Sequence, residues 1–200
     1  MSCTDPSCTC SCHYDPFDRP LAVVGQPAPD FVMKTTADLQ TLESTVSLED
    51  YRGKWLVMFF YPLDFTFVCP TEILALSDRY DEFVEANADV LGISVDSVYS
   101  HRAWLNTPRD KNGIEGVRFP LASDITKQVA ADYGVLIEDE GIATRGLFII
   151  DPDGVLQYAV IHNLNIGRSV DETLRVLEAL QSGGLCGADW KPGDDTLNGG

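Results

Sequence analysis

The spacing of apolar residues changes character between residues 55 and 83. Residues 55–61 form a continuous apolar and aromatic run, which is typical of a strand buried on both faces. Beyond it, apolar side chains recur every three or four positions, as on one helix face, at Ile73, Leu76, Tyr80 and Phe83. Pro70 suits the first helical turn, where its missing N–H leaves no hydrogen bond unmade. The pattern predicts a buried strand, a short connection and a helix that begins near Cys69.

Apolar runs and helical patterns alternate along the rest of the chain, which favours an α/β fold with a sheet covered by helices. The turn sequence Asp-Pro-Asp-Gly at residues 151–154 predicts a β-hairpin. The other predicted strands are residues 31–36 at an edge of the sheet, 90–95, 117–121, 147–150 and 155–161. The other predicted helices are residues 98–106 after Asp96 and Ser97, 124–133 capped by Asp124, and one that begins at Ser169 with a capping box to Glu172.

Composition and charge exclude some kinds of partner and location for this protein. A chain of 200 residues with 44% hydrophobic residues suits one domain with one core. Its 31 acidic and 14 basic residues leave a formal charge of −17, which argues against nucleic acid or an anionic membrane as a partner. Residues 1–15 lack the basic and apolar regions of a secretory signal, and no apolar run is long enough to span a bilayer. We therefore expect a cytoplasmic protein.

The N-terminal segment, residues 1–20, carries four of the six cysteines but no apolar periodicity: Cys3, Cys8, Cys10 and Cys12, followed by His13. Soft sulfur and imidazole ligands at this short spacing could bind zinc or copper, although the paired knuckles of common zinc sites are missing. The alternatives are accessory thiol redox chemistry and no specific role. The expected organisation is this segment, a domain over residues 21–182 and a C-terminal arm over residues 183–200 that begins at two glycines.

Cys69 is the strongest candidate for chemistry. The N-terminus of a helix stabilises an anion, so a cysteine placed there can react as a thiolate. The alternative is structural, because unpaired cysteines are among the most buried residues and usually pack as small apolar side chains. Spacing alone leaves both interpretations open.

The motifs around and beyond Cys69 resemble those of one family. Pro62, Thr66 and Cys69 form P-x-x-x-T-x-x-C within FYPLDFTFVCPTE. Further matches are PAPDF at residues 27–31, DYGVL at 132–136, RGLFIID at 145–151, GRSVDETLR at 167–175 and C-x-A-x-W-K-P-G at 186–193. Together they resemble the typical two-cysteine peroxiredoxins, also called the alkyl hydroperoxide reductase C or thioredoxin peroxidase family, over about residues 24–197. The resemblance implies a thioredoxin-like fold with a central mixed β-sheet flanked by helices and a C-terminal arm.

The same resemblance implies an activity and a set of site residues. The activity is the reduction of hydrogen peroxide and organic hydroperoxides to water and alcohols, an antioxidant function that needs no cofactor. Cys69 would attack the peroxide, Thr66 would hydrogen-bond to the thiolate and the incoming oxygen, and Pro62 would shield the pocket. Arg145 would stabilise the thiolate and polarise the peroxide, while Glu72 and Arg168 would orient that arginine. Cys186 would resolve the Cys69 sulfenic acid as an intersubunit disulfide, with Trp190 packing the arm against the partner subunit.

The resemblance also implies partners and regulation. The expected assembly is a homodimer that forms a decamer when reduced, and the expected electron donor is thioredoxin or a flavoprotein disulfide reductase. Family members that overoxidise easily carry a GGLG loop and a YF-containing C-terminal helix, whereas this chain reads NGIEG at residues 112–116 and ends in DDTLNGG. We therefore expect resistance to overoxidation. Gly187 replaces the more usual proline of the resolving motif.

Other functions fit the residues less well. Cysteine hydrolases need a histidine base, and none of His13, His101 and His162 lies in a motif that pairs with Cys69. A C-x-x-C motif is missing, which argues against a thioredoxin-type dithiol. The alternatives that stay open are an oligomeric holdase chaperone and a metal or redox sensor built on the N-terminal cysteines.

Overall fold

The computed structural model describes residues 21–197. The predictions for the N-terminal cysteines and His13 lie outside the described residues. So do the last three residues of the predicted arm.

Nine strands and five α-helices form the described chain. The strands are β1 Val32–Thr35, β2 Thr45–Ser47, β3 Trp55–Phe60, β4 Ala88–Ser94, β5 Leu121–Ser123, β6 Leu136–Ile137, β7 Ile142–Ala143, β8 Arg145–Ile150 and β9 Leu156–His162. The α-helices are α1 Cys69–Asp78, α2 Tyr80–Glu85, α3 Val98–Leu105, α4 Gln128–Asp132 and α5 Val170–Gln181, and short 3-10 helices span Leu48–Tyr51 and Arg109–Lys111.

A mixed seven-stranded sheet organises the domain, in the order β2-β1-β5-β4-β3-β8-β9. The central strands β3, β4 and β5 run parallel, while β8 and β9 pair antiparallel beside β3 and β1 pairs antiparallel with both β2 and β5. The predicted hairpin is therefore present as β8 and β9. A separate small ladder joins β6 to β7. The mixed sheet with helices is the architecture expected from the sequence.

The central strand β3 explains why its sequence is apolar without alternation. Leu56, Met58 and Phe60 belong to one buried cluster, and Val57 and Phe59 belong to another. Because successive side chains of a strand point to opposite faces, these clusters lie on the two faces of the sheet. Both faces are thus covered, as the continuous run predicted.

Hydrogen bonds to serine side chains confirm two of the predicted helix starts. The Ser97 hydroxyl accepts a hydrogen bond from the Ser100 N–H at 3.2 Å, at the start of α3. The Ser169 hydroxyl accepts from the Glu172 N–H at 3.2 Å, at the start of α5. The carboxylate of Glu172 pairs with Arg175 at 2.6 Å, so only half of the predicted capping box forms.

Four details of the predicted architecture are wrong. The helix predicted at residues 124–133 is α4 and begins only at Gln128, because Lys127 has a left-handed φ of +63°. Asp124 still caps it, since its carboxylate accepts from the N–H groups of Val129 and Ala130 at 3.2 and 2.7 Å. The first strand is not an edge, because the unpredicted β2 lies outside β1. The strand predicted at residues 117–121 is β5 and begins only at Leu121, since the Arg118 N–H donates to the Ser77 hydroxyl at 3.1 Å and holds this segment against α1. The apolar face from Ile73 to Phe83 spans two helices, because the backbone leaves helical geometry at Arg79, with φ −110° and ψ 18°.

The chain from residue 183 to residue 197 contains no helix or strand and packs near α5. Gly183 allows the change of direction with a φ of +66°. Trp190 is buried, its indole N–H donates to the Asp194 carbonyl at 3.0 Å, and Arg175 donates to the Trp190 carbonyl at 3.1 Å.

The tight packing around Gly92 of β4 predicts that a larger residue there would destabilise the fold. A Cβ atom added to Gly92 would lie 2.7 Å from Leu121 Cδ2 and 2.9 Å from Phe59 Cζ, and both of these side chains are fully buried. We expect Gly92→Ala to lower the free energy of unfolding in urea by about 1–3 kcal/mol. Gly187→Ala is the control, because its Cβ would meet nothing closer than 3.9 Å, and it should stay within about 0.5 kcal/mol of wild type. Equal effects of the two changes would contradict the prediction.

Candidate active site

Cys69 lies where the central strand passes into the helical layer. The chain leaves β3 through residues 61–68 and enters α1 at Cys69, which is the first helical residue. Pro70 follows in the first turn, as the sequence predicted, and Val68 takes the cap position. The thiol is fully buried and unpaired. The chain therefore places a free sulfur at the positive end of a ten-residue helix.

Arg145 brings a cation to the sulfur. Its Nη1 lies 3.3 Å from Cys69 Sγ and donates to Glu72 Oε2 at 2.6 Å. Its Nε donates to the Leu164 carbonyl at 2.8 Å, which orients the guanidinium from a second side. Only 3% of the Arg145 side chain is exposed, so water screens this charge little. Such a cation favours an anionic sulfur next to it.

Glu72 joins this arginine to a second one. Its other oxygen, Oε1, accepts from Arg168 Nε at 2.7 Å and from the Arg168 backbone N–H at 2.8 Å. Arg168 Nη1 also donates to the Phe60 carbonyl at 2.8 Å and to the Gly146 carbonyl at 2.6 Å. Burial lowers the pKa of Arg168 below its ordinary value, and the Glu72 charge acts in the opposite direction.

The charges of this cluster suggest what it can do. Two guanidinium groups and one carboxylate leave a net charge of +1 in a buried place, and a Cys69 thiolate brings the sum to zero. Because uncompensated charge is costly in the protein interior, the arrangement suits an ionised sulfur.

The two remaining residues of the predicted pocket lie on the segment before the helix. Pro62 is buried. The Thr66 hydroxyl is half-buried and donates to the Leu63 carbonyl at 2.9 Å. Within the described residues this hydroxyl makes no direct hydrogen bond to Cys69, but its oxygen keeps acceptor capacity.

Cys186 lies apart from this cluster. Its Sγ is half-buried and lies 3.4 Å from the Ser182 hydroxyl and 3.7 Å from the Ala179 carbonyl, at the C-terminal end of α5. Both described cysteines are free thiols. The structure thus brings Arg145, Glu72 and Arg168 together around Cys69 but leaves Cys186 on the arm.

Sequence reasoning missed a buried polar network that anchors the segment before Cys69. Asp64 accepts hydrogen bonds from the Tyr61 hydroxyl at 2.9 Å and the Ser100 hydroxyl at 2.7 Å, and lies 2.9 Å from His101 Nδ1. Burial, together with the Asp64 charge, raises the pKa of Tyr61 well above its ordinary value, so this hydroxyl stays a donor. The one available signal was a lone aspartate inside an apolar string, which needs a buried partner.

His101 is part of this network rather than a base for Cys69. Its second ring nitrogen lies 3.3 Å from the Ala122 carbonyl. Both ring nitrogens therefore have partners within this network, the Asp64 carboxylate and the Ala122 carbonyl.

Two features are absent from the described residues, a helix that could span a membrane and a metal-binding cluster. From residue 21 to residue 197, no helix has the length and apolar character needed to cross a bilayer. The same part of the chain holds no group of three or more His, Cys, Asp or Glu side chains arranged for a metal ion.

Comparisons with known proteins identify the family of this chain. The AhpC/TSA family matches residues 24–159. The chain is 53% identical over 186 residues to the chloroplastic 2-Cys peroxiredoxin BAS1 of Hordeum vulgare, covering 90% of this chain and 87% of that protein. It is 51% identical over 195 residues to peroxiredoxin-2 of Bos taurus, covering 96% and 92% of the two chains.

The fold agrees as well. A crystal structure of the reduced 2-Cys peroxiredoxin of Plasmodium vivax superposes with a TM-score of 0.82 at 43% identity, covering 86% of this chain and 91% of the other. The expected thioredoxin-like fold is confirmed by this match. Sequence, architecture and the buried cysteine with its arginines lead to one conclusion: the chain belongs to the AhpC/TSA family and is a typical 2-Cys peroxiredoxin, a peroxidase.

Proposed function

We propose that Cys69 is the residue that reduces the peroxide. Its thiolate attacks one oxygen of ROOH, the O–O bond breaks, and the products are the Cys69 sulfenic acid and RO⁻, which takes up a proton to become water or an alcohol. The substrates are hydrogen peroxide and organic hydroperoxides. The observation that carries this proposal is the 3.3 Å contact between Arg145 Nη1 and the buried Cys69 sulfur.

The surrounding residues have different roles in this reaction. Arg145 stabilises the thiolate and donates to the departing oxygen, where negative charge develops. Thr66 orients the incoming peroxide through its hydroxyl, and Pro62 keeps the pocket dry. Glu72 and Arg168 hold the Arg145 guanidinium in place, which the contacts of both Glu72 oxygens support.

Cys186 resolves the sulfenic acid in this proposal. Its thiol attacks the Cys69 sulfur, which releases water and forms a disulfide. The disulfide joins two subunits, with Trp190 packing the arm against the partner, and the assembly is a homodimer that forms a decamer when reduced. Two observations support pairing with a second copy. In the described sheet β9 is the last strand, and the chain near residue 26 pairs only with its first residue, Leu156. Cys186 contacts α5 rather than the Cys69 pocket in its own chain.

A dithiol reductant completes the cycle by supplying two electrons and two protons to the disulfide. Thioredoxin or a flavoprotein disulfide reductase has this chemistry. The proposed location is the cytoplasm, where such systems keep thiols reduced. The biological role that follows is antioxidant defence.

Removal of the Arg145 charge tests the central contact. We expect Arg145→Gln to lower kcat/KM for hydrogen peroxide by about 10²–10³-fold, because the variant loses the donor nearest the reacting atoms. Arg118→Gln is the matched control, since that arginine pairs with Asp81 at the surface, and it should retain the wild-type rate. Competition kinetics against a reference peroxidase measures both. A loss below about tenfold for Arg145→Gln would contradict the proposed role.

The position of Glu72 between two buried arginines predicts that its replacement lowers the free energy of unfolding. Glu72→Gln leaves two buried guanidinium groups without their carboxylate, so we expect the free energy of unfolding to fall by about 3–5 kcal/mol. Glu82→Gln removes an exposed carboxylate from Arg79 and should cost at most about 1 kcal/mol. Urea denaturation of reduced protein measures both. Equal losses would show that the buried cluster carries little stability.

The resolving step is tested with wild type, Cys69→Ser and Cys186→Ser, each given one equivalent of hydrogen peroxide. Non-reducing gels with mass mapping should show a dimer-sized Cys69–Cys186 species in wild type alone. A Cys69 disulfide that persists in Cys186→Ser, joined to Cys3, Cys8, Cys10 or Cys12, would transfer the resolving role to the N-terminal segment. No disulfide in any of the three would contradict the mechanism.

A further inference from the structure

The two steps of the proposed mechanism place opposite demands on Cys69, and the inference below rests on that mechanism. Peroxide reduction uses the sulfur in its fully buried position beside Arg145. A disulfide requires two sulfurs to come within about 2 Å of each other. Because the fully buried Cys69 directly follows residues 61–68, this segment must move before Cys186 can reach the sulfur. Whatever holds this segment closed controls the second step.

One end of the segment is fixed inside the protein. Asp64 is buried and belongs to the network with Tyr61, Ser100 and His101. Its backbone N–H also donates to an Asp96 carboxylate oxygen at 2.8 Å. The backbone that is free to open therefore begins after Asp64.

A contact from a distant loop holds the next two residues. The side-chain amide of Asn112 donates to the Thr66 carbonyl at 3.0 Å and lies 3.4 Å from the Phe65 carbonyl. Both contacts span more than 45 positions of the chain. They lie immediately beyond the fixed Asp64 and three residues before the reactive sulfur. Loss of this amide would free the part of the segment that has to move.

Backbone contacts of the loop fix the position of Asn112. Asn112 has a φ of +60°, a left-handed conformation that asparagine tolerates well, and its carbonyl accepts from the Trp104 indole N–H at 2.8 Å. Next to it, a Cβ atom on Gly113 would lie 1.8 Å from the Thr107 carbonyl oxygen, so only glycine fits. Backbone contacts thus position Asn112 independently of its side-chain amide.

The held segment is strained in its closed form. Phe65 has a φ of +56°, a left-handed conformation that is unfavourable for a bulky aromatic residue. Its ring is half-exposed and packs against Trp104 with centroids 5.8 Å apart. The closed backbone therefore needs outside contacts to persist, and the Asn112 amide supplies the direct hydrogen bonds to it from the neighbouring loop.

We propose that Asn112 is a positioning residue that keeps the Cys69 segment closed and so sets how often the sulfur becomes available to Cys186. By prolonging the closed form, the amide favours reaction with peroxide and delays the disulfide. A sulfenate that stays buried can meet a second ROOH, which transfers one oxygen, forms the sulfinate and leaves ROH. The NGIEG loop, whose sequence suggested resistance to overoxidation, thus contains a contact that acts in the opposite direction.

The test compares three variants in a Cys186→Ser background, under reducing conditions and without peroxide. Asn112→Gly keeps the left-handed backbone and removes the amide. Asn112→Asp keeps the side-chain shape and removes the N–H donors. Lys111→Ala is the control in the same loop. Iodoacetamide labelling of Cys69, followed by mass mapping, and amide hydrogen exchange of residues 65–69 both report the open fraction.

We expect the two Asn112 variants to raise the labelling rate of Cys69 and the exchange rate of residues 65–69 by about threefold to tenfold, the range for one net hydrogen bond at a partly solvated site. Lys111→Ala should match the parent. With Cys186 restored, the Asn112 variants should need several-fold more peroxide to yield the same Cys69 sulfinic acid.

Unchanged labelling and exchange in Asn112→Gly would overturn the inference. So would a change in Asn112→Asp alone, because the cause would then be a carboxylate facing two carbonyl oxygens. Labelling and exchange need no peroxidase activity. A protein that opens as expected but forms no sulfenic acid would refute the proposed function and leave the loop contact standing, whereas normal peroxidase activity with unchanged opening would refute the inference alone.

Discussion

A single buried carboxylate holds the cluster around Cys69 together. Glu72 has one oxygen on Arg145 and the other on Arg168, and both guanidinium groups are almost completely buried. Without that negative charge two cations would face each other beside a buried sulfur, at a large electrostatic cost. With it, the Arg145 guanidinium can lie 3.3 Å from the Cys69 sulfur. In the proposed mechanism, stability and reactivity therefore depend on the same ion cluster.

The fold brings these four residues together from three places in the chain. Cys69 and Glu72 lie on the first turn of α1, Arg145 begins β8, and Arg168 lies just before α5. The sheet order places β8 directly beside β3, the strand that leads to the catalytic segment. Arg168 then fastens the two strands by donating to a carbonyl on each, which links the active centre to the middle of the sheet.

In the proposed mechanism, the Cys69 sulfur also has to move away from this cluster to reach Cys186. A buried network fixes the segment at Asp64, while the strained Phe65 and the exposed amide of Asn112 lie just beyond it. The chain is thus held by a buried network at Asp64 and only by exposed contacts at Phe65 and Thr66. This difference favours local opening after Asp64. The arm that carries Cys186 contains no helix or strand among its described residues and contacts its own domain through Trp190 and Arg175. In the proposed mechanism, both reacting sulfurs therefore sit on parts of the chain that can move without unfolding the sheet.

Local pattern in the sequence determined the buried strand β3, the helix start at Cys69, the β8–β9 hairpin and the serine caps, because each depends on neighbours within a few residues. Motifs that resemble a known family indicated the candidate site residues. Only the tertiary structure decided that β2 covers the edge of β1, that the pattern breaks at Arg79, that Asp64 pairs with His101 and that Asn112 reaches the catalytic segment. These features join residues tens of positions apart, and periodicity carries no information about such contacts.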